Sequence, residues 1–144
     1  MDLILWRHAE ALESTEHDDL ERALTTKGER QAQKVAEWLN RHLAHSTRVL
    51  VSPALRCQQT AQALGRKFRT VPSLAPGAAR WPDAVEPVLV VGHQPTLGLV
   101  ASLALTGTAQ AWSVKKGAVW WLRSRSRDEG ERVVLQAVQG PDSL

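Results

Sequence analysis

Two arginines and two histidines in this chain stand where a phosphoryl group could be held and attacked. Arg7 and His8 directly follow the apolar run Leu3-Ile4-Leu5-Trp6, Arg56 lies a few residues beyond Val49-Leu50-Val51, and His93 comes just after Val88-Leu89-Val90-Val91. Neutral imidazole is a good nucleophile toward phosphorus, and with an ordinary pKa of about 6.5 it is largely unprotonated near neutral pH. A backbone carbonyl bonded to one ring nitrogen of His8 would leave the other free to attack. Each guanidinium can grip phosphate oxygens as a planar fork, which lysine cannot do, and can offset charge in an in-line transition state. A protonated His93 would add a further donor to the same oxygens. The chemistry predicted is phosphoryl transfer without a metal or other cofactor.

Such a site needs its four residues delivered to one place. Residues 3–6, 49–51 and 88–91 are short continuous apolar runs and read as fully buried strands. Each is followed by a turn into a helical pattern, and open α/β sheets place their ligand crevice at the carboxyl ends of such strands. Thr26-Lys27-Gly28-Glu29 reads as a capping box opening a helix to about Leu43, with Ala32, Val35, Ala36, Leu39 and Leu43 on one apolar stripe. Ser52 and Pro53 read as the N-cap and first-turn pair of a second helix reaching about Arg66, which puts Arg56 in a positive helix N-terminus. A short strand is expected near 68–71, and the stretch 72–87, with four prolines and Gly77, is expected to be loop, as is the polar segment 9–24. A third helix is expected from the Gly92–Pro95 turn through about Leu105, with Gly107 beyond its end. Two closing strands, near 117–123 and 132–138, are expected around the charged turn 127–130. The predicted architecture is α/β: a three-layer sandwich with a mostly parallel central sheet and helices on both faces.

The bulk properties agree with one domain spanning residues 1–144. The chain has 144 residues, 43% of them hydrophobic, and a formal charge of +3. That charge suits an anionic substrate and is too mild to require nucleic acid. A single cysteine, Cys57, excludes an internal disulfide and fits a reducing compartment, and the first apolar run is far too short for a signal peptide or membrane span. A cytoplasmic location is expected. His17, His42 and His45 show no metal-ligand spacing. Cys57 beside Arg56 lacks the Cys-x5-Arg loop of cysteine phosphatases and reads as core or bystander.

Four segments carry a resemblance: Leu5-Trp6-Arg7-His8-Ala9-Glu10, Leu24-Thr25-Thr26-Lys27-Gly28, Val51-Ser52-Pro53-Ala54-Leu55-Arg56-Cys57-Gln58-Gln59-Thr60-Ala61 and Val91-Gly92-His93-Gln94-Pro95. Taken in order, they resemble the histidine phosphatase superfamily and, within it, the small SixA-type phosphohistidine phosphatases. The resemblance implies that His8 is the phosphorylated nucleophile and that Arg7, Arg56 and His93 form the phosphate pocket. Arg22 resembles a further arginine that some SixA-type enzymes place near the site. Two departures matter: Ala9 stands where the superfamily usually has glycine, and the region 75–87 is short where larger members insert a lid bearing an acid. Only Asp83 and Glu86 supply carboxylates there.

The missing acid bears on the substrate. An alkoxide leaving group, with an alcohol pKa of roughly 16, needs a proton to depart, whereas imidazole, with a conjugate-acid pKa of about 6.5, leaves far more readily. The expected substrate is therefore phosphohistidine on a protein. A small-molecule phosphomonoester is the alternative. A non-catalytic phosphate- or RNA-binding module, using Trp121, Arg123, Arg125 and Arg127 along one strand face, is a weaker third reading. Trp120 and Trp121 lie mid-strand, one expected to face the core and the other outward.

Overall fold

The computed structural model describes residues 1–13, 18–75, 87–127 and 130–144. Asp83, Glu86, His17 and the tip of the turn after Arg127 lie outside the described residues, as does the Arg127 side chain. Among the described residues, six strands form one sheet: β1 (Asp2–Arg7), β2 (Arg48–Val51), β3 (Arg69–Thr70), β4 (Val88–Gly92), β5 (Val119–Arg127) and β6 (Gly130–Gln139). Their spatial order is β3-β2-β4-β1-β5-β6. β3, β2, β4 and β1 run parallel, and β5 and β6 close the sheet antiparallel.

Among the described residues, three α-helices cover the sheet: α1 (Thr26–His42), α2 (Leu55–Gln62) and α3 (Thr96–Thr106). The α1 stripe of Val35, Ala36 and Leu39, together with Cys57 and Ala61 of α2, packs on Ile4, Trp6, Val49, Val51, Leu89 and Val91. On the opposite face Leu97 and Ala101 of α3 pack on Leu5, Leu50, Val88 and Val90. Because β1, β2 and β4 are covered on both faces, every position in them pays to be apolar, which is why their sequences are unbroken runs.

The helix starts depart from expectation. Thr25, not Thr26, caps α1, its Oγ1 accepting from the Gly28 N–H at 2.9 Å. The same hydroxyl donates to the Glu10 carboxylate at 2.8 Å, so the cap also ties α1 to the segment after His8. Gly28 is dictated by that junction, since a Cβ there would sit 1.9 Å from the Glu10 carbonyl oxygen. α2 starts at Leu55 behind Ala54 and has no side-chain cap; Ser52 Oγ, bonded to His93 Nε2, reaches the Ala54 N–H at 3.3 Å, one residue short of the helix. It ends at Gln62 instead of Arg66, and Gly65 follows in the left-handed region. α3 ends as expected at Gly107, with φ 81°.

β5 starts at Val119, since Gly117 occupies a turn at φ 75°. Both tandem tryptophans are packed. Trp121 is buried edge-on against Trp38 of α1 at 6.0 Å, and the half-buried Trp120 lies 6.0 Å from Trp112 on the other face. Arg123 of the supposed nucleic-acid face is paired with Asp2 across the strands, at 2.8 Å.

Candidate active site

Because β1 and β4 are parallel neighbours, the residues leaving their carboxyl ends emerge side by side; β2, on the other side of β4, delivers Ser52 and α2. His8 is still held by the sheet after β1 stops. Its N–H donates to the Gly92 carbonyl at 3.1 Å, and its carbonyl accepts from the Gly117 N–H at 3.0 Å. Trp6 Nε1 donates to the Gly117 carbonyl at 3.0 Å, locking the turn that makes the second of these bonds. The imidazole therefore rises from a backbone fixed on both sides.

His8 Nδ1 lies 2.8 Å from the Ala9 carbonyl oxygen. A carbonyl only accepts, so Nδ1 carries the proton and Nε2 keeps its lone pair. Ala9 is buried, and its N–H donates to Thr60 Oγ1 at 3.1 Å, while Thr60 donates to the Arg56 carbonyl at 2.7 Å. That link ties the His8 turn to the α2 residue that carries the second guanidinium.

The His93 ring centroid is 5.3 Å from that of His8, the planes inclined at 56°. His93 Nε2 is 2.7 Å from Ser52 Oγ, and Nδ1 is 3.4 Å from Arg56 Nη2. A guanidinium only donates, so Nδ1 is an acceptor and the ring proton sits on Nε2, bonded to Ser52. Burial holds the His8 pKa down to about 4; the Ala9 carbonyl opposes the shift, and Arg56, Arg7 and Arg22 reinforce it. Burial, Arg56 and His8 take His93 down to about 3, against an opposing pull from Asp19. Both rings are thus neutral at physiological pH: His8 is ready to attack, and His93 begins as an acceptor. A bound phosphoryl dianion would favour protonation of His93.

Arg56 is 3% exposed, a burial that a charge tolerates only with partners. Its Nη1 donates to the Asp19 carbonyl at 2.9 Å and its Nη2 to Asp19 Oδ2 at 3.1 Å. Arg7 Nη1 donates to the Val114 carbonyl at 2.8 Å. Yet the Nε atoms of both arginines are buried without a hydrogen-bond partner among the described residues. In each arginine, then, part of the guanidinium is pinned by the protein, while Nε keeps an unused donor. Arg22, expected near the site, is there: it lines the same cleft of about 240 Å³ as Arg7, His8, Arg56 and His93, with Gln94 and Lys116 completing the wall.

Several site residues escaped sequence reading. Ser52 is a histidine partner where a helix cap was expected, and Thr60, Lys116 and Asp19 carried no motif of their own. Asp19 lies in a polar stretch whose only sequence signal was turn propensity. Its carboxyl sits below the usual range, because hydrogen bonds from Arg22 and the Arg56 charge outweigh the raising effect of burial. Cys57 Sγ is 3.4 Å from His93 Nε2, but burial pushes its thiol up to about 12, so it stays protonated and inert. Among the described residues, no three His, Cys, Asp or Glu side chains are grouped to hold a metal ion, and no helix is long and apolar enough to cross a membrane.

A neutral imidazole aimed by the sheet, in one cleft with three arginines, is a phosphoryl-transfer arrangement, and the comparisons with known proteins agree. The chain belongs to the histidine phosphatase superfamily (branch 1), whose family model matches residues 3–78, and it is accordingly a phosphatase of that superfamily. It is 32% identical over 120 residues to the phosphohistidine phosphatase SixA of Escherichia coli (strain K12), spanning 72% of this chain and 74% of that protein. The fold matches that of the protein histidine phosphatase SixA complexed with tungstate, with a TM-score of 0.78 and 24% identity, covering 99% of this chain and 98% of that one. It also matches a putative alpha-ribazole-5'-P phosphatase from Escherichia coli K-12, with a TM-score of 0.70 and 17% identity over 98% of both chains.

Proposed function

We propose that this chain removes the phosphoryl group from phosphohistidine on a protein, through a phospho-His8 intermediate. Arg7 and Arg56, with Arg22 at the rim, hold the phosphoryl oxygens. His8 Nε2 attacks phosphorus in line with the bond to the substrate imidazole. The new N–P bond forms as the substrate N–P bond breaks. The substrate ring, protonated on its far nitrogen, takes the bonding pair and leaves as neutral imidazole, and the Ala9 carbonyl stabilises the positive charge that develops on the His8 ring. Water then attacks phospho-His8, releasing inorganic phosphate and restoring neutral His8. His93, drawn toward protonation by the arriving dianion, contributes a donor to the oxygens it faces.

The observation that carries the P–N reading is the chemistry of the cleft wall. Among its described residues none is a carboxylic acid, and the Asp19 carboxyl beside it is ionised and bonded to two arginines. A wall whose described residues hold no neutral carboxylic acid favours a leaving group that needs no proton from the protein, and the imidazole of a ring-protonated phosphohistidine is such a group. Likeness to SixA points the same way. The small-molecule alternative draws on the shared fold of the putative alpha-ribazole-5'-P phosphatase.

The test is dephosphorylation of a phosphohistidine-bearing carrier protein beside a panel of small phosphomonoesters, with acid-labile label trapped on the enzyme. Preference for the phosphoprotein, with label on His8 that is absent from His8→Ala, is the expected result. Label on His93, or preference for an alkyl phosphate, would overturn the reading.

A further inference from the structure

Asp19 takes no part in the attack or departure just described, yet it is bonded to two of the cleft arginines at once. Its Oδ1 accepts from Arg22 Nε at 2.9 Å and its Oδ2 from Arg56 Nη2 at 3.1 Å. Its backbone carbonyl accepts from Arg56 Nη1 at 2.9 Å and from the Arg22 N–H at 3.2 Å. The residue is set by its own short 3-10 turn (Asp19–Glu21), which Asp18 caps by accepting from the Leu20 N–H. Arg22 is anchored in addition to the Leu12 carbonyl at 2.7 Å. A guanidinium has an end edge, the two Nη atoms, and a side edge, Nε with Nη2. Asp19 occupies the end edge of Arg56, and the Nε left over is the buried one without a partner.

We infer that Asp19 is a positioning residue that couples Arg22 to Arg56 and fixes which guanidinium edge meets the phosphoryl group. The inference rests on the reading that these arginines grip phosphate. An exposed carboxylate on a surface arginine would contribute little. Here the Asp19 side chain is 56% exposed but the Arg56 side chain is only 4% exposed, so the carboxylate holds a buried group whose orientation decides the chemistry. Loss of the carboxylate leaves the end edge of Arg56 held only through Nη1 on the Asp19 carbonyl, free to swing its Nη2, and leaves the Arg22 side chain held by the Leu12 carbonyl alone. Misplacing a catalytic group by about 1 Å can cost on the order of 10²-fold in rate, without a comparable cost in stability.

The experiment compares wild type with Asp19→Asn and Asp19→Ala, alone and with Arg22→Ala. It measures kcat and KM on an aryl phosphate, and the Kd for inorganic phosphate by calorimetry. Asp19→Ala is expected to lower kcat by about 10- to 100-fold with a much smaller change in KM, and to weaken phosphate binding several-fold. Asp19→Asn is expected to fall between, because its amide can accept from one arginine but not from both. In the Arg22→Ala background the Asp19→Ala loss should shrink, since one end of the clamp is already gone. Unchanged kcat and Kd would overturn the inference. So would tighter phosphate binding and faster turnover, which would mark Asp19 as an internal anion competing for Arg56. Losses from Asp19→Ala and Arg22→Ala that simply multiply would also overturn the coupling. If the wild type fails to turn over any phosphorylated substrate, the phosphatase reading falls, while the phosphate Kd series still decides the role of Asp19.

Discussion

Lowering the pH from 7.5 to 5.0 should leave the nucleophile working while it strains the fold. With the His8 pKa at about 4 in the folded chain, about 90% of it is still neutral at pH 5.0, against about 3% for a histidine at 6.5. Both buried histidines have folded pKa values below their unfolded ones, so the unfolded chain binds more protons between about pH 4 and 6.5. The stability gained from keeping them neutral is complete above 6.5 and is lost as pH falls toward their folded values. Integrating over that interval gives about 2 kcal/mol per histidine at pH 5.0, about 4 kcal/mol for the pair. The assay is urea denaturation at both pH values for wild type and a His8→Gln/His93→Gln double variant, beside NMR titration of the two imidazoles and the pH dependence of kcat/KM. The wild type should lose about 4 kcal/mol more than the double variant, with His8 and His93 resonances unmoved above pH 5. Equal losses in both proteins, or an imidazole midpoint near 6.5 matching the acid limb of kcat/KM, would refute the reasoning.

Arg7→Lys and Arg56→Lys should each lower kcat/KM by at least about 10²-fold, because an ammonium cannot occupy both a pinned carbonyl and a phosphate fork; steady-state kinetics near wild type would place the pocket elsewhere. Gly28→Ala should destabilise by more than about 2 kcal/mol in denaturant titration, since its methyl would have to displace the Glu10 backbone. Chelators should leave turnover unchanged, and activity restored by a divalent ion after chelation would contradict the mechanism. Across a leaving-group series, kcat/KM should fall steeply as leaving-group pKa rises, and Asp83→Asn/Glu86→Gln should change phosphohistidine turnover by less than about tenfold. A flat series that becomes steep in the double variant would reveal a working acid in the 75–87 region.

His8, Arg7, Arg56 and His93 were legible as site candidates because each follows a strand written in consecutive apolar residues, and such runs are readable without knowing their neighbours. Arg22 was legible only through its family context. The start of α2 differs from expectation because Ser52, read as its cap, is bonded to His93. Local propensity cannot see a partner forty residues away. Asp19 was hidden for a related reason, since its importance lies in the two arginines the fold brings to it, and nothing in residues 9–24 announces them. The packing of both Trp120 and Trp121 likewise depends on Trp112 and Trp38, which alternation along one strand cannot reveal.

The two histidines are rooted in adjacent strands, bonded backbone to backbone through the His8 N–H and the Gly92 carbonyl. Their spacing is therefore inherited from the interstrand distance, a constant of β-structure close to 4.8 Å, and not from any loop. Another part of the cleft wall is built differently: Lys116 stands in the segment connecting α3 to β5. The paired histidines and that stretch of wall are thus written into separable parts of the chain. A lineage could lengthen or recharge the segment before β5, and so acquire a new substrate, while the spacing of the two histidines passed unchanged from ancestor to descendant.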